Sequence, residues 1–244
     1  MKHLLLKAFI FLIAGTSWGQ SSLSLSAAMI RGNVKVKENW IPATGPGRKA
    51  YRTGSSTSSD IYIHYSFRPR AIIKNKNIWV DIGSGYFFQR FDVKRPFNYR
   101  STAEIIFNTD HYSYLCYHGN VGLTYSNTFN SKKYFMTYNV TYRILKSFQQ
   151  NYTPRYSTGT EGFITQRERL QINFGNMISL SIGLNRRLGN RFSIGANVIA
   201  PVYTRWRNDE IFNDDPATFF KPKFSLGASL SVSYNFKSKE HLKS

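Results

Sequence analysis

Residues 224–236 read F-S-L-G-A-S-L-S-V-S-Y-N-F and alternate strictly between two kinds of side chain. The even positions are apolar or aromatic, whereas the odd positions are serine, glycine or asparagine. Successive side chains of a β-strand point to opposite faces, so the segment predicts a strand with one apolar and one polar face. The usual strand has about 5–6 residues, but a membrane-crossing strand needs roughly 9–11. The pattern therefore favours a strand of a membrane-spanning β-barrel.

The N-terminal segment has the three parts of a secretory signal peptide. Lys2 and Lys7 flank the start of an apolar run over residues 4–14, which is followed by small residues up to Gly19. This run is too short for a transmembrane helix, which needs about 20 residues. We therefore expect residues 1–19 to be a cleaved signal peptide, residues 20–236 to form an outer-membrane β-barrel, and residues 237–244 to be a short polar tail.

Seven further segments show the same alternation, so the sequence predicts an all-β chain with eight antiparallel strands. The predicted strands are 23–36, 59–70, 78–91, 110–127, 133–147, 170–185, 191–207 and 224–236.

The first of these strands has the least regular pattern. Residues 23–29 carry their apolar side chains at odd positions, whereas Ile30, Val34 and Val36 lie at even positions. A β-bulge near Met29 is the expected cause of this change of parity.

Connections of two lengths alternate along the chain. The long ones are predicted at 37–58, 92–109, 148–169 and 208–222, and the short ones near 69–77, 128–132 and 186–190. Outer-membrane barrels have long external loops, short periplasmic turns and an even number of strands. This alternation of long and short connections predicts an eight-stranded antiparallel transmembrane β-barrel that starts and ends on the periplasmic side. An apolar patch at 105–107 could extend the fourth strand into its loop.

These features together resemble the small outer-membrane β-barrel proteins of Gram-negative bacteria, broadly OmpA-like or OmpX-like. The resemblance covers the whole mature chain and implies a porin-like membrane protein of the cell outer membrane. It rests on architecture and includes no subfamily motif, so it does not fix a function. One departure is that residues 237–244 follow Phe236. In these families the assembly machinery typically reads a terminal aromatic residue.

The chain is strongly basic, with 33 Lys and Arg against 13 Asp and Glu and a net charge of +20. A basic protein usually binds nucleic acid or an anionic membrane surface. Export and the lack of a recognition motif argue against nucleic acid. We expect the phosphates of outer-membrane lipid and lipopolysaccharide as partners, with a merely solvated basic surface as the alternative. A protein partner could bind through the external loops.

Polar side chains on the predicted inner face are the first candidates for chemistry. His64, Asp81 and His118 share this face, and a His–Asp pair can act in acid–base catalysis. Such a pair is more often a satisfied polar core, because a buried aspartate needs a partner such as Arg68 or Arg143. The single cysteine, Cys116, cannot form an internal disulfide.

The outer rim offers two further candidates. His111 could pair with Ser113 in a hydrolytic site, but the sequence identifies no third group to orient the histidine. The acidic segment 209–215 could bind a divalent cation, although it lacks EF-hand spacing and a solvated loop is favoured. The sequence therefore assigns no catalytic, cofactor-binding or metal-binding residue and no cofactor.

An eight-stranded barrel is just narrow enough for side chains to fill its interior, so no open pore is expected. The predicted function is a structural or interaction role, without enzymatic activity, in which the loops form the contact surface. The alternatives are a lipid A-modifying or other lipid-modifying enzyme at the outer rim, and a narrow anion-preferring channel.

Overall fold

The computed structural model describes residues 21–39, 49–68, 77–94, 105–129, 133–158, 163–165, 174–207 and 219–236. The predicted signal peptide (1–19), the tail (237–244) and the acidic segment 209–215 lie outside these ranges and stay predictions.

Nine β-strands make up the described part of the chain. They are β1 (Ser21–Asn39), β2 (Lys49–Phe67), β3 (Ile78–Lys94), β4 (Ile105–Thr128), β5 (Tyr134–Thr158), β6 (Phe163–Thr165), β7 (Phe174–Leu188), β8 (Phe192–Arg207) and β9 (Phe219–Phe236). No helix in these ranges is long and apolar enough to cross a bilayer.

Eight of the strands close into one antiparallel barrel. Each pairs with its neighbour along the chain, β5 pairs directly with β7, and β9 pairs with β1 to close the ring. The short strand β6 adds to the outer end of β5. This arrangement confirms the predicted eight-stranded barrel, including the pairing of the terminal strand 224–236.

The outer wall of the barrel carries the apolar side chains that the alternation predicted. Leu230 is 70% exposed, and Ile61, Leu123 and Ile182 are also more than half exposed. Exposure of so many large apolar side chains is expected where the solvent is lipid, as on a transmembrane barrel. The predicted lipid-facing parity is confirmed on every barrel strand whose side chains are described.

The polarity of the two faces inverts partway along several strands. On β1 the outward residues are apolar up to Met29 and polar from Arg31 onwards, while the inward residues change from serine to Ile30 and Val34. The same inversion occurs on β3, where outward Phe88 is followed by Arg90. Strands that leave the bilayer face water outside and pack an apolar core inside. We call this part the outer barrel: residues 30–39 of β1, 49–59 of β2, 89–94 of β3, 105–116 of β4 and 145–158 of β5.

The inversion corrects the bulge predicted near Met29. Pairing of β1 with β2 is continuous through this residue, and the register with β9 shifts only between Gly32 and Val34. Met29 is 52% exposed and Ile30 is 4% exposed, as in a regular strand. The change of apolar parity arises because the strand leaves the lipid, and no bulge is needed at that point.

The outer barrel also corrects the predicted loop boundaries. Residues that were assigned to long loops belong to strands β1 to β6 and β9, namely 37–39, 49–58, 92–94, 105–109, 148–158, 163–165 and 219–222. The apolar patch 105–107 does extend the fourth strand. Residues 53–58, for example, are all small or polar, so they lack an alternating apolar face and resemble a loop in sequence.

Candidate functional site in the barrel interior

The interior is layered, and its first layer is a polar cavity of about 660 Å³ at the short-turn end. Serine, threonine and asparagine side chains make up most of its lining. These side chains occupy the inward positions of the strands, whereas the outward positions carry the apolar side chains that contact lipid.

An ionic cluster lies at the end of this cavity that is farther from the short turns. Nε2 of His118 donates a hydrogen bond of 2.8 Å to Oδ1 of Asp60, and Nη2 of Arg143 lies 3.5 Å from the other carboxylate oxygen. The second guanidinium nitrogen, Nη1, donates to Ser179 at 2.8 Å. All three ionisable side chains are almost completely buried. The Asp60 carboxylate thus accepts a hydrogen bond from His118 and is compensated by the Arg143 guanidinium.

An apolar plug fills the lumen beyond the cluster and extends into the outer barrel. On β4 the inward side chains pass from Asn120 at the cavity through His118 to Cys116 and Tyr114 in the plug. Phe91 packs edge-to-face on Tyr114 with ring centroids 6.0 Å apart. The plug residues are Val34, Phe87, Phe91, Val93, Tyr112, Tyr114, Cys116, Leu145 and Met177. These nine residues form one buried apolar cluster.

Of the three luminal candidates that the sequence grouped, His64 and Asp81 line the cavity and His118 does not. His118 binds Asp60, which the sequence did not identify as a candidate although it shares the inward parity of Tyr62 and His64. Asp81 accepts hydrogen bonds from Thr124 and Asn139. The pairing places Gly83 opposite His64, while Asp81 lies opposite Ser66. His64 and Asp81 therefore share the polar cavity, whereas His118 belongs to the ionic cluster next to it.

The two arginines expected to compensate a buried aspartate have different roles. Arg143 compensates Asp60 instead of Asp81 and also lies over the ring of Tyr62 at 5.2 Å. The guanidinium carbon of Arg68 lies 4.9 Å from the centroid of the Trp79 ring. Arg68 thus forms a cation–π contact near the short-turn end of the barrel.

A second polar cluster lies on the outer wall of the outer barrel. Asp92 is directly opposite His111 and contacts its Nδ1, while Nε of Arg90 donates to the same carboxylate at 2.9 Å. Ser113 lies opposite Arg90. Asp92 is therefore the orienting group that the sequence did not reveal. Nε2 of His111, however, is buried, so it is closed to solvent in this arrangement.

On several strands a basic side chain follows an apolar or aromatic residue at the next outward position. Arg31 follows Met29 on β1, Lys146 follows Ile144 on β5, and Arg205 follows Tyr203 on β8, and all three are exposed. We call these three residues the outer basic ring. Arg90 has the equivalent place on β3, but its guanidinium already binds Asp92 and His111.

Metal binding has no support from the described side chains. No group of three or more His, Cys, Asp or Glu that could hold a metal ion is found among them.

No protein-family model matches the sequence, and no curated protein sequence is significantly similar to it. Several solved structures are similar in fold. The outer membrane protein OprG from Pseudomonas aeruginosa is 10% identical with a TM-score of 0.50, and the match covers 90% of this chain and 96% of that chain. The N-terminal β-barrel domain of OprF from the same species is 11% identical with a TM-score of 0.33, over 89% and 99% of the two chains. The outer membrane protease OmpT from Escherichia coli is 10% identical with a TM-score of 0.41, over 89% and 97%.

Proposed function

We propose that this integral outer-membrane β-barrel protein is a sealed, non-conducting barrel that binds lipopolysaccharide phosphates at its outer basic ring and presents its outer barrel and loops to partners. The observation that carries the proposal is the layered lumen, in which an ionic cluster and an apolar plug follow the polar cavity. A lumen of this kind supports a role for the outer surface of the protein.

Conduction through the lumen is disfavoured on two grounds. Phe87, Phe91 and Leu145 are at most 1% exposed, so their packing leaves little room for a hydrated ion. The almost completely buried side chains of Asp60, His118 and Arg143 also occupy the lumen at the entrance to the plug. The anion-preferring channel is therefore the weaker alternative.

The lipopolysaccharide contact is supported by the position of the cations. Arg31, Lys146 and Arg205 are outward and exposed, and each lies one outward position beyond an apolar or aromatic side chain. Lipid phosphates lie in the interfacial layers of a bilayer, and each basic side chain near an anionic surface contributes about 1 kcal/mol. The three positions are on β1, β5 and β8, so they are distributed around the barrel.

A hydrolytic function at the rim is the second candidate, and the Asp92–His111 contact is the observation that favours it. A general base needs a free ring nitrogen within reach of the proton it removes. The burial of Nε2 of His111 weighs against this role. The structural and interaction role therefore has more support.

The test compares thermal unfolding of the barrel in lipopolysaccharide-containing and phosphatidylcholine nanodiscs. The variant Arg31→Gln/Lys146→Gln/Arg205→Gln should lose most of the increase in Tm that lipopolysaccharide gives to the wild type. The matched control, Arg31→Lys/Lys146→Arg/Arg205→Lys, keeps all three charges and should retain the increase in Tm. Raising the salt concentration should reduce the increase, because exposed charges are screened beyond about 10 Å at 0.1 M salt. An equal increase in all three proteins would refute the role of the ring.

A further inference from the structure

The polar cavity has the dimensions of a ligand-binding site. Its volume of about 660 Å³ lies within the range of roughly 300–1,000 Å³ that is usual for small-molecule pockets. It extends from Asn190 and Phe236 at the short-turn end to Tyr62 and Asn120 next to the ionic cluster. Because the plug obstructs the lumen beyond that cluster, the cavity faces the periplasmic side.

The lining favours an uncharged ligand with many hydroxyl groups. Hydroxyl and amide side chains both donate and accept hydrogen bonds, as the hydroxyl groups of a sugar or polyol require. Asp81 and Arg187 carry opposite charges, so the lining gives no net attraction to an ion. Thr124 and Asn139 already donate to the Asp81 carboxylate, and Arg187 lies over the ring of Phe135 at 5.5 Å.

A small alcove near the ionic cluster contains polar atoms without a hydrogen-bond partner among the described residues. His64, Gly83 and Asn120 lie side by side on three adjacent strands. A Cβ atom on Gly83 would lie 2.8 Å from Cβ of His64 and 2.9 Å from Oδ1 of Asn120, so the glycine keeps the space between them free. The alcove is the region bounded by these three residues.

The unpaired atoms in the alcove are Nδ2 of Asn120 and Nδ1 of His64, which find no hydrogen-bond partner within the described ranges. Asn120 is only 7% exposed, and both residues line the cavity. Asn185 provides the contrast: it lines the same cavity and is 8% exposed, but its amide donates to Thr137 at 3.0 Å. A buried donor without an acceptor is costly, so the alcove favours a ligand that supplies one.

We infer that the cavity binds a small uncharged sugar or polyol, one hydroxyl group of which accepts a hydrogen bond from Asn120 and contacts His64 in the alcove. The site opens to the periplasm and is separate from the outer surface to which the proposed function belongs.

Tryptophan fluorescence can report this binding. In mature protein that also carries Trp40→Phe and Trp206→Phe, Trp79 is the remaining tryptophan and lines the cavity. The protein is refolded in a zwitterionic amine-oxide detergent, because glycoside detergents would themselves supply sugar groups. Glucose, maltose and glycerol are titrated to about 100 mM, since a weak site has a Kd on the order of 1 mM. Glucuronate and glucose 6-phosphate serve as the charged counterparts.

At least one neutral compound should give a saturable change in fluorescence, and its charged counterpart should bind more weakly. Asn120→Ala should raise the Kd roughly tenfold, as expected for one lost hydrogen bond, whereas Asn185→Ala should change it by less than about threefold. If Asn120→Ala does not fold, His64→Ala is measured with the same expectation. The inference is overturned by no saturable response to any neutral compound, by tighter binding of the charged ones, or by equal losses in the alcove variant and Asn185→Ala.

Discussion

Nε2 of His118 donates a hydrogen bond of 2.8 Å to Oδ1 of Asp60 in the middle of the lumen, and neither side chain is more than 1% exposed. These groups come from β4 and β2, which do not pair with each other, so their contact crosses the barrel interior. Arg143 adds a third strand to the same cluster. A buried ion pair of this kind tolerates loss of one partner poorly, because the remaining charge is left without compensation.

Asp60→Ala should therefore lower the free energy of unfolding by about 3–5 kcal/mol, measured by urea titration in detergent micelles. The double variant Asp60→Leu/Arg143→Met removes both charges and should be closer to the wild type. Ser58→Ala, at the next inward position on β2, is the control and should cost less than about 1 kcal/mol. A double variant as unstable as Asp60→Ala would show that the charge imbalance is not the cause.

The plug should behave like the core of a soluble protein. Phe91 is completely buried, so Phe91→Ala should cost about 3–5 kcal/mol in the same titration. Phe224 is 68% exposed on the outer wall, and Phe224→Ala should cost far less. Similar losses for the two variants would contradict the assignment of the plug as an apolar core.

The inversion of polarity predicts that an arginine substitution is costly at one outward position of β1 and well tolerated at another. Leu25 and Asn33 both point outward from β1, but Leu25 lies in the apolar band and Asn33 in the outer barrel. Leu25→Arg should cost about 2–4 kcal/mol if it lies near the bilayer midplane, whereas Asn33→Arg should be within about 0.5 kcal/mol of the wild type. Folding titrations in lipid vesicles measure both. Equal costs would place the two residues in the same environment.

Orientation can be tested with introduced cysteines on intact cells. Asn33→Cys should react with a membrane-impermeant maleimide, because the residue is exposed on the outer barrel, and Asn190→Cys in the short β7–β8 turn should not. The wild type is the background control, since Cys116 is buried. Labelling at Asn190 but not at Asn33 would reverse the orientation.

The sealed lumen predicts no discrete conductance steps when the refolded wild type is inserted into a planar lipid bilayer. The physical reason is the plug, in which buried apolar side chains such as Phe87 and Leu145 cluster in the lumen. An outer-membrane porin measured in the same bilayer is the positive control. Resolved, anion-selective steps would support the channel alternative.

The barrel was predictable from the sequence because lipid imposes a parity rule on every strand that crosses it. The same rule led to the wrong prediction of a β-bulge near Met29, since it assumes that a strand faces lipid along its whole length. Residues 49–58 were assigned to a loop because they have no alternating pattern of apolar and polar residues.

The site was less predictable because contacts across the lumen depend on strand register. Asp60 lies at the second position of its predicted strand, and nothing in the local sequence shows that it meets His118 on β4. Asp92 was the first residue of the predicted loop 92–109 and His111 the second residue of the predicted strand 110–127, so their pairing became evident only when Asp92 was found in a strand. The isolated residues could be listed from the sequence, but their partners could not.

The pairing of β1 with β9 closes the barrel, so it determines when the barrel can be completed. Oγ of Ser24 donates to Oγ of Ser233 at 2.7 Å, although the two residues are 209 positions apart in the chain. β1 therefore cannot pair with β9 until nearly the whole polypeptide has been delivered, and contacts between such distant residues form slowly. Until then β1 keeps one unpaired edge, which is open to pairing with other chains. Premature termination before β9 would leave β1 and β8 with unpaired edges, so a shortened chain should aggregate or be degraded instead of forming a smaller barrel.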